Sequence, residues 1–219
     1  TQGVSSAASD VYKRQDIARS SLGLLSKGYE KAVSIRNARF DEGKGVTKVT
    51  VPVISVGNIT AGGTGKTPMV RFICDVLTQK GLHPTVPVST TKNSRGYRAE
   101  DNNKNIIISK DGTMLVEPSI SGDEAWLLAK VLQKSNVIIG RERSKSAEIA
   151  INELGADCLI MDDGFQHRAL ARDIDIVLID ASNPFGYEHV LPRGLLREPL
   201  SGCLLYTSPS PRDISGSRM

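Results

Sequence analysis

Gly62, Gly63 and Gly65 lead into Lys66 and Thr67, directly after an apolar run that begins at Val53. Glycines at this spacing let backbone N–H groups close around a phosphate. The lysine then reaches the terminal phosphates and the threonine hydroxyl becomes a ligand for Mg2+. The segment 60–67, with Thr60, Ala61 and Thr64 as its other members, is therefore a candidate cradle for a nucleoside triphosphate. The strict pattern has glycine where Thr60 stands, and the deviant ATPase form has lysine where Ala61 stands. Pro68 falls at a tolerated early helix position. The alternative is a glycine-rich turn that binds nothing, but a strand before Gly-Lys-Thr and a helix after it are the context the motif requires.

A second group is acidic. Asp157–Asp163 is an apolar strand ending in two carboxylates, Asp162 and Asp163. In phosphate-loop enzymes such a strand holds Mg2+ through an aspartate, and the spacing leaves open which of the two does so. Gln166 and His167 follow at once, placed to orient a phosphate, a nucleophile or a substrate. Asp123, at the predicted start of a helix, could accept the proton of an attacking alcohol; it could equally complement the helix N-terminus. Transition-state charge also calls for cations, for which Arg95, Arg141, Arg143, Arg168 and Arg193 are candidates.

The elements that must position these groups alternate. Strands are predicted at 49–57, 85–89, 136–139, 158–161 and 174–179, with a hairpin over 105–116 turning at Lys110-Asp111-Gly112. Helices are predicted from Ser121 to about 134, where Ser121 and Glu124 have capping-box spacing, and over 142–154, stopped by Gly155. The pattern predicts an α/β, P-loop NTPase-like fold, a mostly parallel sheet with helices on both faces. Ligands of such sheets sit at the carboxyl ends of the strands, where the phosphate loop, Asp123 and Asp162 should converge. Segment 17–39 has helical spacing of Leu22, Leu25, Tyr29, Ala32 and Val33 among basic residues, which suits packing on its own domain or lying on a membrane surface.

The 219 residues suffice for one domain with a real core. Hydrophobic residues make up 39% and charged residues 24%, as in a soluble α/β protein. A net charge of +4 and a pI near 9.0 suit an anionic lipid surface or a phosphorylated substrate, and no nucleic-acid partner is expected from so small an excess. Cys74, Cys158 and Cys203 lack metal spacing and read as reduced thiols of a cytosolic protein. No apolar run reaches the ~18–20 residues of a membrane span. Residues 5–15 and 204–213 share no periodicity with their neighbours and resemble translated adapter sequence. The expected organisation is thus a non-native or disordered tail over 1–16, an amphipathic helix and linker over 17–48, a P-loop kinase domain over 49–201, and a second non-native tail over 202–219.

Taken together, Arg36-Asn37, the stretch 51–68, Ser94–Tyr97, Gly122–Glu124, the surroundings of Arg143, 162–168, 172–180 and 191–200 resemble the tetraacyldisaccharide 4'-kinase family, in order and across nearly all of 30–200. The resemblance implies ATP- and Mg2+-dependent phosphorylation of the 4'-hydroxyl of a lipid A disaccharide precursor by a peripheral protein at the cytoplasmic face of the bacterial inner membrane. It implies that Asp123 is the catalytic base, that 60–67 holds ATP, that Asp162, Asp163, Gln166 and His167 belong to the active site, and that the N-terminal helix meets the membrane. Two departures stand out. The family's smaller C-terminal domain, with a histidine that pairs with the catalytic aspartate, has no counterpart after residue 201, so a weak or inactive kinase is expected. Residues 87–93 also differ from the family pattern.

Two other classes compete. A nucleotide-switch ATPase would answer to a protein partner rather than a glycolipid. A metal-chaperone GTPase would carry Asn-Lys-x-Asp after a strand, and Asn103-Lys104 is followed instead by Asn105-Ile106.

Overall fold

The computed structural model describes residues 2–89 and 105–203, with side chains over 19–89 and 105–202. It divides into two compact units: Gly43–Asn58 with Gly63–Leu178, and the rest of the chain, which comprises the N-terminal helix, Ile59–Gly62 and everything from Ile179 onward. The expected block 49–201 is thus shared between them, with Thr60, Ala61 and Gly62 in the smaller unit and Gly63–Thr67 in the larger.

The larger unit is a seven-stranded sheet. In chain order its strands are β1 Val53–Asn58, β2 Pro84–Ser89, β3 Ile106–Lys110, β4 Thr113–Met114, β5 Asn136–Gly140, β6 Cys158–Asp162 and β7 Ile174–Leu178, in spatial order β4-β3-β5-β2-β6-β1-β7. β5, β2, β6, β1 and β7 pair in parallel. β3 runs antiparallel to β5 and to β4. Asp111 and Gly112, at φ 49° and 79°, make the two-residue turn that the hairpin needs. Parallel strands covered on both faces read as unbroken apolar runs. Accordingly every residue of β5 is buried, as are the first four of β6.

Helices cover both faces, as the strand–helix alternation predicts. On one, α2 (Lys66–Gln79) and α4 (Asp123–Val131) bury Val70, Cys74, Ala125, Leu128 and Ala129 with Val56, Val86, Val137 and Ile160. On the other, α5 (Arg143–Asn152) brings the small Ala147 and Ala150 against Ile138, Leu159 and Met161. Cys74 and Cys158 are buried free thiols, pushed up to about 12 and about 11 mainly by burial, so neither is a nucleophile at neutral pH. The capping box does not form. Ser121 ends a separate turn, α3 (Pro118–Ser121), and Gly122 at φ 82° is the residue before α4, with no side-chain cap. A left-handed glycine between the two helices leaves Ser121 bonded to carbonyls rather than to the α4 amides.

In the smaller unit, α1 spans Gln2–Asp41 and so runs through 2–16 without a break. Leu22, Leu25, Tyr29 and Ala32 of the predicted apolar stripe are exposed. Of that stripe only Val33 is buried, and it shares the buried face with Ser26 and Asn37, because polar anchors hold the helix. Ser26 Oγ donates to the Val190 carbonyl at 2.9 Å and Tyr29 Oη to that of Arg197 at 2.9 Å. Glu198, fully buried, accepts from Arg36 Nη2 at 2.9 Å and Asn37 Nδ2 at 3.0 Å. The same 191–200 stretch binds the start of the phosphate loop: Arg197 N–H donates to the Ile59 carbonyl and Ala61 N–H to that of Leu195. The last element among the described residues is α6 (Leu200–Cys203). Among the described residues no helix is long and apolar enough to cross a membrane.

Candidate active site

β1 ends at the fully buried Asn58, and after the glycine loop the chain re-enters helix at Lys66. Gly65 precedes α2 at φ 80°, a conformation that favours glycine. Lys66 Nζ donates to Asn58 Oδ1 at 3.3 Å and lies 3.6 Å from Asp163 Oδ1. The lysine thereby bridges the end of β1 and the acidic turn. Thr67 is half-buried one residue into the helix, and Thr64 Oγ1 is buried without a hydrogen-bond partner.

β6 lies beside β1 and delivers the acidic pair to the same edge. Asp162 closes the strand, and Asp163 turns the chain with φ 50°. Their environments differ. Burial, then the neighbouring Asp163 charge, raises the Asp162 carboxyl above its ordinary value, and its Oδ1 is buried and unpartnered. Asp163 is more open and faces Lys66. A buried carboxylate with an unused oxygen, next to a second carboxylate and within the unit that holds Thr67, suits Mg2+, which takes one or two carboxylates and completes its shell with water and phosphate oxygens.

Arg143 begins α5, just beyond β5, and is only 5% exposed. Its Nη2 donates to the Asp162 carbonyl at 2.7 Å, while Nε and Nη1 find no partner. Burial lowers its pKa to about 10 against the opposing pull of Asp163 and Asp162, so it keeps its charge at neutral pH. A buried guanidinium with unused donors beside two carboxylates can receive an anion.

The turn after the aspartates is seated on β1. Gly164 N–H donates to the Val56 carbonyl, Phe165 is buried against Gly57, and Gln166 Nε2 donates to the Asn58 carbonyl at 2.8 Å. Gln166 thus braces the strand end, and the half-buried His167 bonds through its backbone N–H to Gly164. From below, Arg172 Nη1 donates to the Phe165 carbonyl at 2.8 Å and lies 3.4 Å from the half-buried Asp175 of β7.

Asp123 is exposed at the head of α4, and no hydrogen bond or ion pair joins it to Lys66 or the aspartates. Because α4 feeds β5, its first turn lies toward the carboxyl edge of the sheet, the edge of the phosphate loop. Among the other cations, Arg168 is buried and Arg141 exposed; Arg193 lies in the smaller unit, and Arg95, with Ser94, Gly96 and Tyr97, lies outside the described residues. Sequence reasoning missed Asn58 and Arg172. Asn58 could have been found as the polar residue ending an otherwise apolar strand before the loop. Arg172 shows no such signal.

A parallel sheet whose first strand passes through a glycine turn into Gly-Lys-Thr at a helix start, beside a second strand ending in paired aspartates, defines a P-loop NTPase-like fold. The chain belongs to the tetraacyldisaccharide-1-P 4'-kinase family, whose pattern it matches over residues 18–205. It is 41% identical over 187 residues to a tetraacyldisaccharide 4'-kinase of Anaeromyxobacter dehalogenans (strain 2CP-C), covering 84% of this chain and 47% of that protein. It is 43% identical over 180 residues to the enzyme of that name from Syntrophus aciditrophicus (strain SB), covering 81% and 46%. Among solved structures it is similar to the "apo"-form LpxK of Aquifex aeolicus in complex with ATP, with a TM-score of 0.74 and 38% identity over 86% of this chain and 56% of that one. The chain therefore spans about half the length of the curated relatives it matches.

Proposed function

We propose that this chain is the nucleotide-binding part of an ATP-dependent kinase that moves the γ-phosphate to the 4'-hydroxyl of a tetraacyldisaccharide 1-phosphate, in lipid A biosynthesis. One observation carries the reading: Lys66, Asn58, Asp162, Asp163 and Arg143 meet at one edge of the sheet in a chain of this family. The backbone of 60–67 and Lys66 hold the triphosphate. Thr67 with Asp162 and Asp163 would hold Mg2+, which when bound neutralises phosphate charge. Arg143 turns its unused donors toward the phosphoryl oxygens, where charge grows during transfer. Asp123, on the same edge and open to solvent, takes the proton of the sugar hydroxyl as its oxygen attacks the γ-phosphorus. Gln166 and His167 fix the turn that carries Asp163. The exposed leucines of α1 support a peripheral position, which we assign to the cytoplasmic face of a bacterial inner membrane.

Transfer of labelled γ-phosphate from Mg-ATP to a detergent-dispersed disaccharide 1-phosphate, with Lys66→Ala as control, tests this. Mg-ATP binding that is lost in Lys66→Ala is expected, with weak transfer of label, or none, by a chain that spans about half the length of its relatives. Failure of the unmutated chain to bind Mg-ATP at all would sink the reading.

A further inference from the structure

Asp163 stands at φ 50°, a left-handed conformation that an aspartate tolerates but does not prefer. A residue keeps such a conformation only where its surroundings over-determine it. The two peptides that follow supply the restraint. Gly164 N–H donates to the Val56 carbonyl, and the Gly164 carbonyl accepts from His167 N–H at 2.9 Å. Arg172 Nη1 then donates to two successive carbonyls, that of Gly164 at 3.3 Å and that of Phe165 at 2.8 Å. Arg172 itself has a fixed base. Ala171 N–H donates to the Thr47 carbonyl at 2.8 Å, and Asp173 N–H to that of Val53 at 2.9 Å. Asp173 Oδ2 in turn accepts from Val53 N–H at 2.8 Å. The residues on both sides of Arg172 are thus tied to the segment that forms β1, and its side chain brackets the acidic turn from that base.

Charge balance comes from Asp175, 3.4 Å from Arg172 Nη1; the two side chains are 13% and 7% exposed. Asp175 is the register partner of Ser55 across β7 and β1, so both point to one face of the sheet. Ser55 Oγ lies against the turn, where a Cβ on Gly164 would stand 2.7 Å from it. A largely buried ion pair is a poor source of stability, because well-packed apolar residues of similar volume do as well or better. The use of this pair lies in what it holds. We infer that Arg172, balanced by Asp175, is a positioning residue for phosphoryl transfer: it keeps Asp163 in its left-handed conformation facing Lys66, and so presets the carboxylate for Mg2+. The inference rests on the reading of Asp162 and Asp163 as the carboxylates that hold the metal. Arg172 acts through two main-chain carbonyls, not by touching the reacting atoms.

The test separates position from stability. For the full chain, the Kd of ATP is measured by titration calorimetry in EDTA and in excess Mg2+, and the first divided by the second is the Mg2+ gain. The folded fraction enters both values equally and cancels, so a change that only weakens the fold leaves the gain unmoved. Arg172→Met should lower the gain about tenfold, the low end of what removing an outer partner of a metal ligand costs, because the effect passes through the main chain. Arg172→Met/Asp175→Asn covers the case in which the single variant does not fold, since it leaves no carboxylate stranded. Its Tm should recover toward that of the unmutated protein while its gain stays low. An unchanged gain in Arg172→Met, or a gain that returns with Tm in the double variant, would overturn the inference and leave the metal reading in place. ATP bound equally with and without Mg2+ by the unmutated chain would remove the metal reading, and the inference with it.

Discussion

Replacing Gly57 by alanine puts one methyl group where the acidic turn rests on β1. Gly57 is buried in the middle of the parallel sheet, hydrogen-bonded in register with Val177 of β7. A Cβ there would stand 2.4 Å from Phe165 Cβ and 2.8 Å from the Phe165 backbone nitrogen. The first gap is about 1 Å short of ordinary contact, and one of the two opposing atoms is main chain, so no rotamer change relieves it. Phe165 cannot swing away either, being 1% exposed. Overpacking of this kind costs about 1–3 kcal/mol. At roughly 2–4 °C per kcal/mol for a chain of this size, the expected fall in Tm is about 2–12 °C by circular dichroism. The turn that must move also carries Asp163 and Gln166, and a displacement near 1 Å at a phosphoryl-transfer site can cost about a hundredfold in rate. Nucleotide affinity, read by titration calorimetry, should therefore fall alongside Tm. Gly28→Ala is the control, because nothing lies within 4 Å of its Cβ and α1 is helical there; it should raise stability by about 0.5–1 kcal/mol. A Gly57→Ala protein with unchanged Tm and nucleotide affinity would refute the view that the acidic turn is rigidly seated on the strand.

Three further outcomes are expected. Asp162→Asn should raise the Tm of the nucleotide-free protein while abolishing phosphoryl transfer, since it removes a buried charge crowded by Asp163. The Asp162 carboxyl is raised in the fold, so its stabilising contribution is present at acid pH and lost as pH rises through that raised value; the Tm gain should shrink toward acid pH, and a gain independent of pH would count against the assignment. Arg172→Met strands the Gly164 and Phe165 carbonyls and the half-buried Asp175, a loss of about 3 kcal/mol in chemical denaturation that Asp175→Asn should partly restore. Lys66→Ala should weaken Mg-ATP binding by at least about tenfold, the equivalent of one charge-assisted bond, with little change in Tm, because its partners Asn58 and Asp163 keep other contacts.

What could be read from the sequence was whatever repeats a local physical rule. The parallel strands announce themselves as apolar runs because both faces of the sheet are covered, and the hairpin is visible in Asp111-Gly112 because only a few residues tolerate two successive positive φ angles. The glycines of the phosphate loop and the Asp-Asp pair are legible for the same reason: their chemistry is confined to a few adjacent positions. The capping box at Ser121 failed because the same spacing can be overridden by a left-handed glycine, and Gly122 at φ 82° breaks the chain direction there. The apolar stripe of α1 misled in a different way. It reports which residues are greasy, whereas the face that packs was chosen by Ser26, Asn37 and Arg36 finding partners more than 160 residues away in Val190 and Glu198. Arg143 and Arg172 belong with these. Nothing local distinguishes either from a solvated surface arginine, yet Arg143 is buried on the Asp162 carbonyl of another strand, and Arg172 is held by the Phe165 carbonyl of the acidic turn and by Asp175. Local chemistry is therefore visible in one dimension. The groups that orient it are supplied by long-range pairing, which explains why the nucleotide-binding loop could be named from its residues while the buried arginines beside it could only be put forward as candidates or passed over.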